Sequence, residues 1–144
     1  MSLILSDAQL APDLFRWNGP IDRHRLVDWM EGRGWVLPSD LLDLWASTGG
    51  GEIFESENIL PPLTTAAGEN ELDCVTDWCR THGAPDGLVV FHQGLGYTAV
   101  RFADGAYLSL DGNSRVLDQH RSLEHWYLEV LRAEYGERYG LPTL

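Results

Sequence analysis

Five histidines, two cysteines and 22 acidic side chains are the groups in this 144-residue chain that could do chemistry. Cys79 and His82 stand one helical turn apart and could share a metal ion. A structural zinc site needs four ligands, and no second pair stands at ligand spacing. The cysteines therefore read as free thiols of a reducing compartment, and no metal or cofactor is expected. Cys74 and Cys79, five apart on a helix, point about 140° away from each other and do not bridge. None of His24, His82, His92, His120 and His125 lies in a nucleophile elbow, a zinc-protease motif or a nucleotide-binding motif. The stretch His92-Gln93-Gly94-Leu95-Gly96 has two glycines, but no helix follows to aim amides at a phosphate, so it reads as a hairpin loop. Glu55 and Glu57 could work as an acid–base pair, yet two apart in a loop or strand they read as solvated. No catalytic residue is expected.

Charge says more. There are 22 acids against 10 basic residues, all arginine, for a net charge of −12. Such a balance repels nucleic-acid phosphates and anionic membranes and favours a basic partner. The excess is concentrated. From Gly34 to Cys79 the chain holds Asp40, Asp43, Glu52, Glu55, Glu57, Glu69, Glu71, Asp73 and Asp77 with no basic residue. This stretch is either a solvated face or an electrostatic docking surface. On the docking reading the contact residues are Glu52, Glu55, Glu57, Glu69, Glu71, Asp73 and Asp77, with Phe54 and Trp78 as apolar anchors.

Hydropathy and turn signals predict the elements that must position these groups. The first seventeen residues allow at most a short helix. Asn18-Gly19-Pro20 predicts the start of a helix carrying Leu26, Val27 and Met30 and stopping at Gly32 and Gly34. A second helix runs from Pro38-Ser39-Asp40 to Gly49-Gly50-Gly51. Glu52 to Leu63 reads as one short strand and an irregular segment containing Pro61-Pro62, and residues 70–82 as a third helix. Strands follow at Leu88–Phe91, Tyr97–Phe102, Ala106–Leu110 and Arg115–Asp118, with turns at Asp104-Gly105 and Asp111-Gly112-Asn113. Ser122 caps a last helix with Leu123, Trp126, Tyr127, Val130, Leu131 and Tyr135 on its apolar stripe. Helices, a strand meander and a closing helix make an α+β chain of one domain. No apolar run reaches the ~18 residues of a membrane span, and the first ten residues lack the features of a signal peptide, so a cytoplasmic protein is expected.

The segment Leu37-Pro38-Ser39-Asp40-Leu41-Leu42-Asp43-Leu44-Trp45, continuing to Gly49-Gly50-Gly51, resembles the signature of the SUKH superfamily. Gly94-Leu95-Gly96-Tyr97, Phe102-Ala103-Asp104-Gly105-Ala106-Tyr107-Leu108 and Ser122-Leu123-Glu124-His125-Trp126-Tyr127-Leu128 fit its later motifs. Thr48 stands where the family more often has Asn. The likeness spans residues 20–135. It implies a mixed, mainly antiparallel sheet with N-terminal helices and a C-terminal helix packed around it, and no cofactor. The superfamily joins a fungal cell-wall-synthesis regulator to many bacterial immunity proteins, so the resemblance implies a cytoplasmic, non-enzymatic immunity protein. Its partner would be a cognate protein toxin with a basic surface, often a nuclease. A general interaction or scaffold module is the alternative, and a small metal- or Cys/His-dependent hydrolase the third.

Overall fold

The computed structural model describes residues 2–63 and 71–143. Its elements are α1 (Leu3–Leu10), a 3₁₀ turn (Pro12–Leu14), β1 (Phe15–Trp17), α2 (Arg23–Gly32), α3 (Ser39–Thr48), β2 (Gly51–Ile53) and β3 (Glu57–Ile59). Then come α4 (Glu71–Thr81), β4 (Leu88–Gly94), β5 (Gly96–Arg101), β6 (Tyr107–Leu110), β7 (Val116–His120) and a closing helical segment. The seven strands form one sheet in chain order, and every neighbouring pair is antiparallel. The chain is α+β, with helices around an antiparallel sheet, as the element order predicts. No helix among the described residues is long and apolar enough to cross a membrane.

Two local expectations are corrected. Helix α2 starts after Asp22, whose carboxylate accepts the His24 N–H at 2.8 Å, and not at Asn18-Gly19-Pro20. The amides of Asn18, Gly19 and Ile21 are already donated to the carbonyls of Gly50, Thr48 and Ala46, so the segment runs extended beside the end of α3. The stretch after Gly51 holds two strands rather than one. Phe54 and Glu55 turn the chain between them with φ of 50° and 67°, a left-handed step that neither residue type advertises.

The glycine run has a clear cause. Gly49 caps α3 at φ 72°, and a Cβ there would lie 2.2 Å from the Gly19 carbonyl oxygen. One on Gly51 would lie 2.2 Å from the Arg16 carbonyl oxygen. Only glycine lets β1 approach β2 this closely.

Register sorts the sheet into two faces. Arg16, Glu52, Asn58, Gln93 and Tyr97 lie in one cross-strand row, and Ile59, His92, Thr98, Ser109 and Asp118 in a row of the other face. Helix α4 covers part of the first face, burying Leu72, Thr76 and Cys79. The bulge between Val90 and His92 frees the Val90 N–H, which donates to Thr76 Oγ1 at 2.9 Å.

The closing segment covers the second face. Ser122 caps it, and α5 (Leu123–Trp126) passes into a π-helical stretch (Tyr127–Arg132) and then α6 (Ala133–Tyr135). Leu123, Trp126, Tyr127, Leu131 and Tyr135 are buried, as the stripe predicts, while Val130 is half-buried. Arg132 and the Tyr127 hydroxyl both donate to buried Asp7, which ties α1 to this segment.

Candidate functional site

The nine acids that lack a basic neighbour in sequence are mostly partnered in space. Asp73 accepts two hydrogen bonds from Arg33, at 2.6 and 2.9 Å. Asp43 pairs with Arg23, and Asp77 with Arg80. Asp40 accepts from the Tyr107 hydroxyl and from the amides of Leu41 and Leu123. Arg23 opens α2, Arg33 follows its end, and Arg80 lies just beyond Cys79 on α4, so the cations all lie outside the acidic stretch itself.

Two expected contact residues are not on the surface. Phe54 is 1% exposed, with its ring against Phe15, Tyr127, Tyr135 and Tyr139. Glu57 is likewise 1% exposed. Its side chain shares the sheet face of Ile59, two residues on, and that face lies under the closing helix. Neither can meet a partner without unfolding. Glu69 lies outside the described residues.

What remains is smaller and more specific. Glu52, Glu55 and Glu71 are exposed. Glu52 stands between Arg16 and Asn58 in the cross-strand row, and Asn58 Nδ2 donates to Glu71 Oε2 at 3.3 Å. The N-terminal end of α4 thus meets β2 and β3 in one acidic patch. Trp78, 40% exposed, stacks on His82 at 3.9 Å and lies 5.6 Å from Tyr97 in the same row. It supplies an exposed aromatic edge two strands along the row from Asn58.

His82 Nδ1 donates to the Trp78 carbonyl at 2.7 Å and is exposed, whereas Cys79 is buried. These two residues do not converge on a common ion. Burial pushes the Cys79 thiol pKa up. Cys74 is exposed, and no disulfide joins the pair.

Beneath the closing helix lies a polar seam that the sequence reading did not anticipate. His92 Nε2 donates to Glu57 Oε1 at 2.9 Å, and its Nδ1 is 2.9 Å from Thr98 Oγ1. Glu57 also accepts from the Leu95 N–H at 3.1 Å and the Tyr135 hydroxyl at 2.9 Å. Burial pushes the Glu57 pKa up, but these hydrogen bonds and the attraction of His92 outweigh it, so the net shift is downward. Gly94 makes room: a Cβ there would lie 2.2 Å from Glu57 Oε1.

The seam continues across the sheet. Thr98 faces Ser109 on β6, and Ser109 Oγ is 2.7 Å from Nε2 of buried His120. The hydroxyl–imidazole–carboxylate order of Thr98, His92 and Glu57 is that of a nucleophilic triad. All three residues are buried, and here the arrangement ties β3, β4, β5 and α6 together. The signal was present: Glu57 alternates with Ile59, and His92 ends an apolar run. No protein-family profile matches the chain, and no curated protein matches it either.

Proposed function

We propose that this chain is a non-enzymatic immunity protein of SUKH type that binds and neutralises a cognate bacterial toxin in the cytoplasm. The observation that carries the reading is the exposed pair Glu52 and Glu71, brought together across Asn58, with half-exposed Trp78 packed on Tyr97 two strands along the same row and exposed Glu55 in the turn that follows β2. The net charge of −12 adds long-range attraction for a basic partner and disfavours nucleic acid. A toxin with a basic substrate cleft, such as a nuclease, has the complementary charge, and an acidic binder would speed encounter and cover the phosphate-binding site. The resemblance carried by the Leu37–Gly51 segment supports the same reading.

Co-purification from the native cell tests it. The expected result is one basic protein held in a stoichiometric complex, toxic when expressed alone and inactive with this chain bound. Several unrelated partners with no toxic activity would replace this reading with a general scaffold. Turnover of a small substrate would replace it with an enzyme.

A further inference from the structure

We propose that Asp118, His120 and Glu129 form a binding site for a divalent transition-metal ion of the zinc class. Asp118 and His120 lie two apart on β7 and so share the sheet face that the closing helix covers, while Glu129 reaches over from its π-helical stretch. One donor atom from each of the three lies within 4.8 Å of the others.

The histidine points to a ligand. His120 is 3% exposed, and its Nδ1 has no hydrogen-bond partner. A buried nitrogen left without a partner keeps the full cost of its lost hydration. Its other nitrogen, Nε2, is 2.7 Å from Ser109 Oγ. If Nε2 carries the proton and donates it to that hydroxyl, the Nδ1 lone pair is left aimed at the carboxylates. Glu129 Oε2 is 3.4 Å from Nδ1. Donors bonded to one tetrahedral ion at about 2.0–2.2 Å stand about 3.4 Å apart, so the gap suits an ion between them.

The neighbouring half of the seam supplies the contrast. There the carboxylate of Glu57 closes on His92 at 2.9 Å and satisfies it directly. At His120 the carboxylate stays back, and a second one, Asp118, stands beside it. Two carboxylates and a neutral imidazole carry a charge of −2, which a divalent ion offsets. Imidazole among the donors favours zinc over magnesium or calcium, which prefer oxygen alone. The site opens on a cavity of about 450 Å³ lined in part by Thr98, Ser109, Leu117 and Val130. Three protein donors leave a fourth position for water. The ion would clamp the edge strand β7 to the closing helix. No linear motif marks these positions, which is why the Cys and His spacings gave no hint of a metal.

The test is titration of the full chain, freed of metal, with zinc chloride. One ion per chain is expected, with magnesium and calcium at least tenfold weaker. Glu129→Gln and Asp118→Asn, both at exposed positions, should each weaken zinc at least tenfold, whereas Cys74→Ser with His82→Gln should leave it unchanged. Zinc should also move the Nδ1 resonance of His120 while Nε2 keeps its proton. The proposal is overturned by no saturable uptake, by uptake that both carboxylate variants preserve, or by uptake that leaves the His120 Nδ1 resonance unmoved.

Discussion

Thr98 and Ser109 face each other across β5 and β6, and each contacts a different buried histidine, His92 at 2.9 Å and His120 at 2.7 Å. The two cross-strand hydroxyls thus divide one polar seam into halves that end on different carboxylates. The half ending on Glu57 is closed and hydrogen-bonded throughout. Its contribution to stability can be measured.

Removing one partner of a buried hydrogen bond typically costs about 1–3 kcal/mol, because the Glu57 carboxylate loses a donor that water cannot replace there. His92→Leu should therefore destabilise the chain by about that much. The double variant Glu57→Leu/His92→Leu should cost less than the sum of the two single changes. Urea denaturation of the four proteins in the cycle decides it. Additive costs would mean that the 2.9 Å contact contributes no coupling.

The acid limb of stability follows from Glu57. Its pKa is lower in the folded chain than its ordinary value of 4.5. A carboxyl depressed on folding stabilises above its unfolded pKa, and the contribution is lost as pH falls through the folded value. Denaturation midpoints of the native chain should fall steeply below about pH 4.5, and those of Glu57→Gln less steeply. Parallel profiles would remove Glu57 from the acid transition.

How much of this was legible in sequence divides by interaction range. Helix α3 with its Gly49 stop, the Asp104-Gly105 hairpin and the closing stripe were readable because period and turn chemistry are local. The three-residue strand β1 was not: too short for a period, it is fixed by the close approach of Arg16 to Gly51. The acidic stretch misled for a related reason. Its neutralising cations, Arg23 on the first turn of α2 and Arg33 just past its end, are brought to Asp43 and Asp73 only by the tertiary fold. The three residues of β3 are too few to show a period, so the alternation of Glu57 with buried Ile59 is the one local sign that Glu57 faces inward.

Gly94→Ala should be costly although nothing in its local turn demands glycine. The new methyl would meet Glu57 Oε1 at 2.2 Å, and the carboxylate cannot move without giving up Leu95, Tyr135 or His92. A loss of about 1–3 kcal/mol is expected, as for overpacking. Gly32→Ala at the end of α2 has open space at its Cβ and should be neutral or slightly stabilising. Equal effects at the two positions would show that the Glu57 carboxylate gives way to the methyl without losing its partners.

Trp126 is fully buried, with its ring against Phe91 at 5.2 Å and His92 at 5.2 Å. Trp126→Ala should cost about 3–5 kcal/mol by loss of burial and an unfilled cavity. Chemical denaturation showing less than about 1 kcal/mol would mean that the closing helix is not fixed by this side chain.

The last prediction concerns how a partner is held. Glu57 is excluded from any docking surface by its burial, and Asp73 and Asp77 are engaged by Arg33 and Arg80, so steering falls to Glu52, Glu55 and Glu71. Glu52 and Glu71 converge through Asn58, so reversing both places the change in one patch. Glu52→Arg with Glu71→Arg should slow association with the captured toxin several-fold at low salt, and less at high salt, because screening removes the long-range part. Arg16 stands opposite Glu52, so the milder pair Glu52→Gln with Glu71→Gln should slow association in the same sense without placing like charges face to face. The same double reversal at Glu134 and Glu137, exposed on and after α6, changes net charge equally at a different place. It should affect the rate much less. If both reversals slow binding alike, only net charge matters, and the partner docks away from the junction of β2, β3 and α4.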